Sequence, residues 1–239
     1  MIVSMTAYDR VEYAAPVLAS YLEAVDQLDE PVTLVVALDW SDEAGAMAAL
    51  LPTDEIIVQP SHVGLQVNTL AALREAWAVA GEQGEDFVLH LEDDLVLAPD
   101  ALRLAAWMRD NYRDDDHVGF VSLTEAQHDP GPGDRYAVAV NGNFECHVWG
   151  TWAPMWERME EDWPHEWETH WAARFNDELH MYGRSQARPL LSRSRSIGVH
   201  GQHCNEHYHA LHNPRVYAGD LELAGGGYHG TRTEQARTR

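Results

Sequence analysis

Apolar and polar positions alternate between two rhythms along the first half of the chain. Met1 to Ala7 is a nearly continuous apolar run that gives way to Tyr8-Asp9-Arg10, the pattern of a buried strand ending in a polar loop. Val17, Leu18, Tyr21, Leu22, Val25 and Leu28 then recur at helical spacing and form one apolar stripe over residues 11 to 28. A second unit repeats the rhythm: Val32 to Leu38 is β-branched, Asp39-Trp40-Ser41-Asp42 reads as its loop, and Glu43 to Leu51 reads as a helix capped by Ser41 or Asp42. Glu55 to Val58 predicts a short strand, and Leu65 to Gly81 a helix with Leu70, Leu73, Trp77 and Ala80 on one face. Phe87 to Leu91 predicts another buried strand, and a helix follows from Pro99 to about Tyr112.

Strands alternating with helical crossovers imply a mainly parallel sheet flanked by helices. Ligands of such sheets bind beyond the carboxyl ends of the strands. Arg10, Asp39 and the triplet Glu92-Asp93-Asp94 all fall at those ends. Three adjacent carboxylates repel one another and lose hydration at a strand end, so a hard cation such as Mn²⁺ or Mg²⁺ is their natural compensator. A solvated acidic turn is the alternative, but polar clusters recurring at three equivalent strand ends favour a shared crevice.

After His117 the pattern changes. Val118 to Leu123 and Tyr136 to Val140 read as strands on either side of the loop Pro130-Gly131-Pro132-Gly133. A tryptophan-rich stretch follows, in which Cys146-His147-Val148-Trp149-Gly150-Thr151-Trp152 precedes an acidic helix containing Trp156. Asp162-Trp163-Pro164-His165-Glu166-Trp167-Glu168 comes next. Indole rings at this density serve either as core packing or as platforms for sugars and bases. Further on, His200, His203 and Cys204 lie near His207, His209 and His212. One Cys-x-x-His pair without a partner pair is a weak zinc signal, and His200 or His203 is the better candidate to complete coordination at Asp94.

Composition narrows the function. The formal net charge of −23 disfavours a general polyanion binder. The charge is uneven, however, because residues 183 to 239 hold 8 arginines against 4 acids, and Arg184, Arg188, Arg193 and Arg195 are candidates for a phosphate-bearing ligand. Two cysteines fit a reducing compartment, and with no secretory leader and no membrane-length apolar run the expected location is cytoplasmic.

The ordered set Tyr8-Asp9-Arg10, Asp39, Glu92-Asp93-Asp94-Leu95-x-x-Ala98-Pro99-Asp100, Trp163-Pro164, Trp167-Glu168 and Trp171 resembles the GT-A glycosyltransferases, especially the N-acetylglucosaminyltransferase I type. Arg188-Pro189-x-x-Ser192-Arg193 and His200-Gly201-Gln202 extend the resemblance over roughly residues 1 to 212. It implies a GT-A, Rossmann-like α/β fold in one domain over residues 1–222, divided into a nucleotide-sugar-binding half (1–112) and an acceptor half (113–222). A loose tail is expected from 223. It further implies a nucleotide-sugar donor, with a UDP-sugar favoured, and a bridging Mn²⁺ or Mg²⁺ on Asp94 assisted by His200 or His203. Thr6, Tyr8, Arg10, Asp39, Glu92, Asp93 and Arg193 would then line the donor side, and Trp149, Trp152 and Trp167 the acceptor side. The reaction would invert the anomeric carbon with Glu168 as base and Asp162 and Glu166 as fallbacks. Three departures stand out: Glu rather than Asp at the base position, a short loop between Ser196 and His200, and no membrane anchor or stem.

Two other readings remain at this stage. One keeps the donor but makes the acceptor a hydroxymethylated pyrimidine in DNA, as in bacteriophage enzymes; the other is a non-enzymatic carbohydrate- or Ca²⁺-binding module on the same fold.

Overall fold

The computed structural model describes residues 1–53, 55–125, 130–161, 163, 171–199, 206–214, 216–223 and 226–231. The first half is built as the hydrophobic rhythm predicts: β1 (Ile2–Ala7), α1 (Val11–Asp26), β2 (Thr33–Leu38), α2 (Ala44–Ala48), β3 (Ile56–Val58), α3 (Leu65–Gln83) and β4 (Phe87–Glu92). A short strand, β5 (Leu95–Leu97), precedes α4 (Ala101–Tyr112) and β6 (Val118–Ser122). The remainder comprises β7 (Ala137–Asn141), β8 (Trp149–Trp152), α5 (Ala153–Glu161), α6 (Trp171–Met181), β9 (Ser185–Pro189), β10 (Ser194–Ser196), α7 (Glu206–His212) and β11 (His229–Thr231).

Among the described residues nine strands form one sheet in the order β11-β7-β9-β6-β8-β4-β1-β2-β3. Pairings β1–β2, β2–β3, β1–β4, β6–β9 and β7–β11 are parallel, while β8 runs antiparallel to β4 and β6 and β7 antiparallel to β9. Alternate residues of β1 feed opposite cores. Val3, Met5 and Ala7 pack with Leu18, Met47, Leu104 and Met108 of the helices on one face, whereas Ile2 packs with Leu73, Trp156 and Phe175 on the other. Burying each such side chain contributes roughly 1.5–3 kcal/mol, which fixes the register that carries the polar strand ends. No helix among the described residues is long and apolar enough to cross a membrane.

Two helix starts differ from expectation for local reasons. Neither Ser41 nor Asp42 caps α2, and the Ser41 hydroxyl donates to the Tyr8 carbonyl at 3.4 Å. α4 begins at Ala101, after the turn that holds Pro99, and the Asp100 carboxylate is engaged by Arg193 and Tyr228 and does not cap it. The stretch read as a loose tail contributes β11, and the Tyr228 hydroxyl donates to Asp100 at 2.9 Å.

β5 and β10 form a separate two-stranded antiparallel ribbon, in which Ser194 faces Leu97 and Ser196 faces Leu95. The Ile197 amide extends the pairing by donating to the Asp94 carbonyl at 2.8 Å. This ribbon lays the chain after Ser196 directly against the acidic turn.

Candidate functional site

The parallel registers place the carboxyl ends of β1, β2 and β4 side by side, and the polar residues that follow them converge there. Arg10 leaves the loop after β1 and meets two carboxylates of the turn after β4: its guanidinium donates to Asp94 at 2.8 Å and pairs closely with Asp93. The Tyr8 amide donates to the other Asp93 oxygen at 3.0 Å. Burial works against the Arg10 charge, but Asp93 and Asp94 outweigh it and hold the guanidinium firmly protonated. Burial pushes the Asp93 carboxyl up to about 6 and Asp94 adds to the rise, against the pull of Arg10 and the Tyr8 amide. Thr6, buried opposite Glu92 in the β1–β4 pairing, leaves its hydroxyl without a hydrogen-bond partner among the described residues.

Asp39, at the end of β2, is directed into the protein. It accepts from the amides of Trp40, Val63 and Gly64, each at 2.8 Å, and lies 2.9 Å from the His62 ring nitrogen. Gly64 has a φ of 80°, a backbone geometry that favours glycine, so the loop turns sharply onto the carboxylate. Contact of the His62 ring with Tyr8, tilted by 34° with centroids 4.9 Å apart, ties this loop to the first. Asp39 therefore organises the loop and is only 3% exposed.

Glu92 meets residues that sequence reasoning passed over. The segment before β8 crosses the sheet face, pinned where the amides of Phe144 and Glu145 donate to Asn176 and Gln186 at 3.1 and 2.6 Å. It delivers Glu145, Cys146 and His147 beside Glu92, and the His147 ring pairs closely with the Glu145 carboxylate. Burial pushes the Glu92 carboxyl up to about 8, with Asp94 adding to the rise and His147 opposing it. Burial also disfavours charge on His147, but Glu145 more than offsets it, aided by Glu92 and Asp94, and raises the imidazole to about 9. The sequence signal was the Glu-Cys-His run immediately before a strand.

Several expected site residues stand elsewhere. Trp149 and Trp152 are 1% and 6% exposed and form core, not an acceptor platform. β8 lies between β4 and β6, so Trp149 packs against His90, Phe120, Phe144, Trp171 and Phe175, and Trp152 packs against Phe87. Arg193 is fully buried and cannot line a donor pocket: it donates to Asp100 at 2.9 and 3.1 Å and to the carbonyls of Leu191 and Arg135 at 2.7 and 2.8 Å. Arg195 pairs with Asp220 at 2.7 Å over the Tyr217 ring. Arg184 helps to line a cavity of about 320 Å³ with Asn141, Asn143 and His180, beside the start of β9. Of the four candidate arginines, Arg193 and Arg195 are thus paired with carboxylates of the chain, whereas Arg188 stands near Glu145 with its buried Nε unbonded among the described residues. Asp162, Glu166, Trp167, Glu168, His200 and His203 lie outside the described residues.

The acidic turn fits a hard divalent ion. Glu92, Asp93 and Asp94 set three carboxyl groups against Arg10, the one arginine paired with them among the described residues, a negative excess made of oxygen donors suited to Mn²⁺ or Mg²⁺. Room is kept at Asp94 by Gly198, where a Cβ would stand 1.9 Å from a carboxylate oxygen.

No protein-family model and no curated protein sequence matches the chain. Solved structures do. TarS of S. aureus, residues 1–349, aligns with a TM-score of 0.56 at 14% identity, covering 83% of this chain and 61% of that one. The likeness is one of fold. The same protein in complex with UDP-GlcNAc aligns at 0.53 and 14% identity, covering 78% and 55%. With UDP bound it aligns at 0.52 and 14%, covering 78% and 56%. The chain thus spans between about half and three fifths of the length of these structures. Its sheet order and flanking helices are the GT-A, Rossmann-like arrangement that the sequence implied.

Proposed function

We propose that the chain is a metal-dependent glycosyltransferase that moves a sugar from a nucleoside-diphosphate donor to an acceptor hydroxyl, with inversion. The observation that carries this reading is the negative excess at the ends of β1 and β4, on a fold shared with a protein solved with UDP and with UDP-GlcNAc. Asp94 would hold Mn²⁺ or Mg²⁺, which when bound neutralises charge developing on a departing diphosphate. Arg10 fixes Asp93 and Asp94 in place and supplies a positive charge at the same edge. Asp39 shapes the loop of Val63 and Gly64 against which a nucleoside would rest, and Glu92 or Asp93 would stand near the ribose or sugar. Glu168 would take the acceptor's proton, a role worth typically ~10²–10⁴-fold, with Asp162 and Glu166 as alternatives. A small molecule, glycan or protein is the acceptor class this reading favours. A DNA acceptor would need a basic surface, and two of the candidate arginines, Arg193 and Arg195, are paired with Asp100 and Asp220.

The test is donor turnover. The protein is incubated with UDP-, GDP-, ADP- and dTDP-linked sugars and Mn²⁺, and release of free nucleotide is followed with and without hydroxyl acceptors. Release from one donor class that falls at least ~100-fold in Glu168→Gln, while that variant still binds the donor, supports the assignment. No release from any donor overturns the enzymatic reading.

A further inference from the structure

Glu145, Cys146 and His147 bring a carboxylate, a thiol and an imidazole together, with one ligand atom of each within 4.8 Å of the others; among the described residues this is the group with the donor set of a transition-metal site. We propose that these three side chains form a second metal site, selective for a zinc-like ion and separate from the hard-cation site at Asp94.

The donor chemistry makes the distinction. Thiolate and imidazole select borderline ions such as Zn²⁺ and Co²⁺, whereas carboxylates alone suit Mg²⁺ and Mn²⁺. A tetrahedral zinc-like ion, with bonds of about 2.0–2.3 Å, holds its ligands about 3.3–3.8 Å apart. The observed grouping, within 4.8 Å, is about an ångström wider than that spacing.

The backbone is already fixed on both sides. Gln186 accepts from the Glu145 amide at 2.6 Å and donates to its carbonyl at 3.1 Å, and the Val148 carbonyl accepts from Leu123 at 2.9 Å. Ligands carried by an anchored segment need little ordering on binding. The side chains of Glu145 and His147 are 14% and 21% exposed, which leaves a path for an ion. Without metal, imidazole and carboxylate satisfy each other; with metal, the ion separates them, and the imidazolium and the thiol each release a proton to solvent. Three protein ligands leave one position open, as in zinc sites that bind a further group.

The proposal is independent of the glycosyltransferase reading, and its experiment reads the metal alone. The full chain, stripped of metal with a chelator, is titrated with Co²⁺ while thiolate-to-cobalt charge-transfer absorption is recorded in the near ultraviolet. Stoichiometric growth of this absorption is expected, with bleaching by Zn²⁺ and resistance to excess Mg²⁺. The band is lost in Cys146→Ser and retained in Cys204→Ser and Asp94→Asn, each checked by circular dichroism. Absence of the band in the wild-type chain overturns the site whatever the variants do. A band that survives Cys146→Ser and disappears in Cys204→Ser also overturns it, because the thiolate would then be the other cysteine.

Discussion

Replacing Arg193 by Met tests whether this arginine is a structural keystone. The side chain is fully buried and makes four hydrogen bonds, two to Asp100 and two to the carbonyls of Leu191 and Arg135, with the Tyr136 ring 5.8 Å from its charge. Arg193→Met leaves Asp100, 7% exposed, with the Tyr228 hydroxyl as its remaining described side-chain donor and strands two carbonyls. Removing one partner of such a buried pair costs about 3–5 kcal/mol, most of it from the uncompensated charge. With a urea dependence of about 3 kcal/mol/M, the unfolding midpoint falls by roughly 1–1.7 M. Adding Asp100→Asn removes that charge and restores a large part of the loss, because the two effects couple through direct contact. Below its unfolding transition, Arg193→Met binds donor with wild-type affinity. A midpoint shift under about 0.3 M, equivalent to less than ~1 kcal/mol, would refute the keystone argument. A tenfold loss of donor affinity in the folded variant would return Arg193 to the donor side.

Gly198→Ala is expected to disturb the metal position without unfolding the chain: the new Cβ would lie 1.9 Å from the Asp94 Oδ2 and 2.7 Å from its Cγ, so the carboxylate or the loop must yield. Mn²⁺-dependent donor affinity should fall about 10–100-fold by calorimetry, and an unchanged affinity would show that the loop moves away freely. His90 is fully buried and held down at about 3 by desolvation, with Ser4 3.2 Å from one ring nitrogen. Between about 6.5 and 3 the unfolded chain binds the extra proton and the folded one does not, so stability falls as pH drops through that window, by about 2 kcal/mol at pH 5. Urea unfolding of His90→Gln at pH 7 and pH 5 should lack this component, and equal pH slopes for variant and wild type would contradict it. Trp149→Ala opens the aromatic core behind β8 and should cost about 3–5 kcal/mol while leaving the acceptor KM unchanged at a temperature where it is folded; a raised KM would restore the sugar-platform reading.

The strands that carry the site were legible because each is an apolar run closed by polar residues, as at Met1–Arg10 and Phe87–Asp94. The β5–β10 ribbon was not, because Ser194-Arg195-Ser196 has no apolar signature and becomes a strand only by pairing with Leu95–Leu97. Arg193 was misplaced for a similar reason. Its partner Asp100 lies 93 residues earlier, and no local pattern shows that the two meet in the interior. Glu145 and His147 escaped because their segment has no periodicity and reaches Glu92 by crossing the sheet face, held by Asn176 and Gln186. Trp149 and Trp152 looked available for stacking because sequence shows the density of indoles but not that β8 inserts between β4 and β6.

Calorimetric titration of the turnover-competent nucleotide-sugar into the wild-type chain and into Asp94→Asn, each with Mn²⁺ and with a chelator, tests the central claim most directly. The account predicts donor binding in the wild-type chain with Mn²⁺, and a loss of at least ~100-fold both on chelation and in Asp94→Asn, because the carboxylate and the ion act as one unit. Equal donor affinity in the chelator, or wild-type affinity in folded Asp94→Asn, would contradict it.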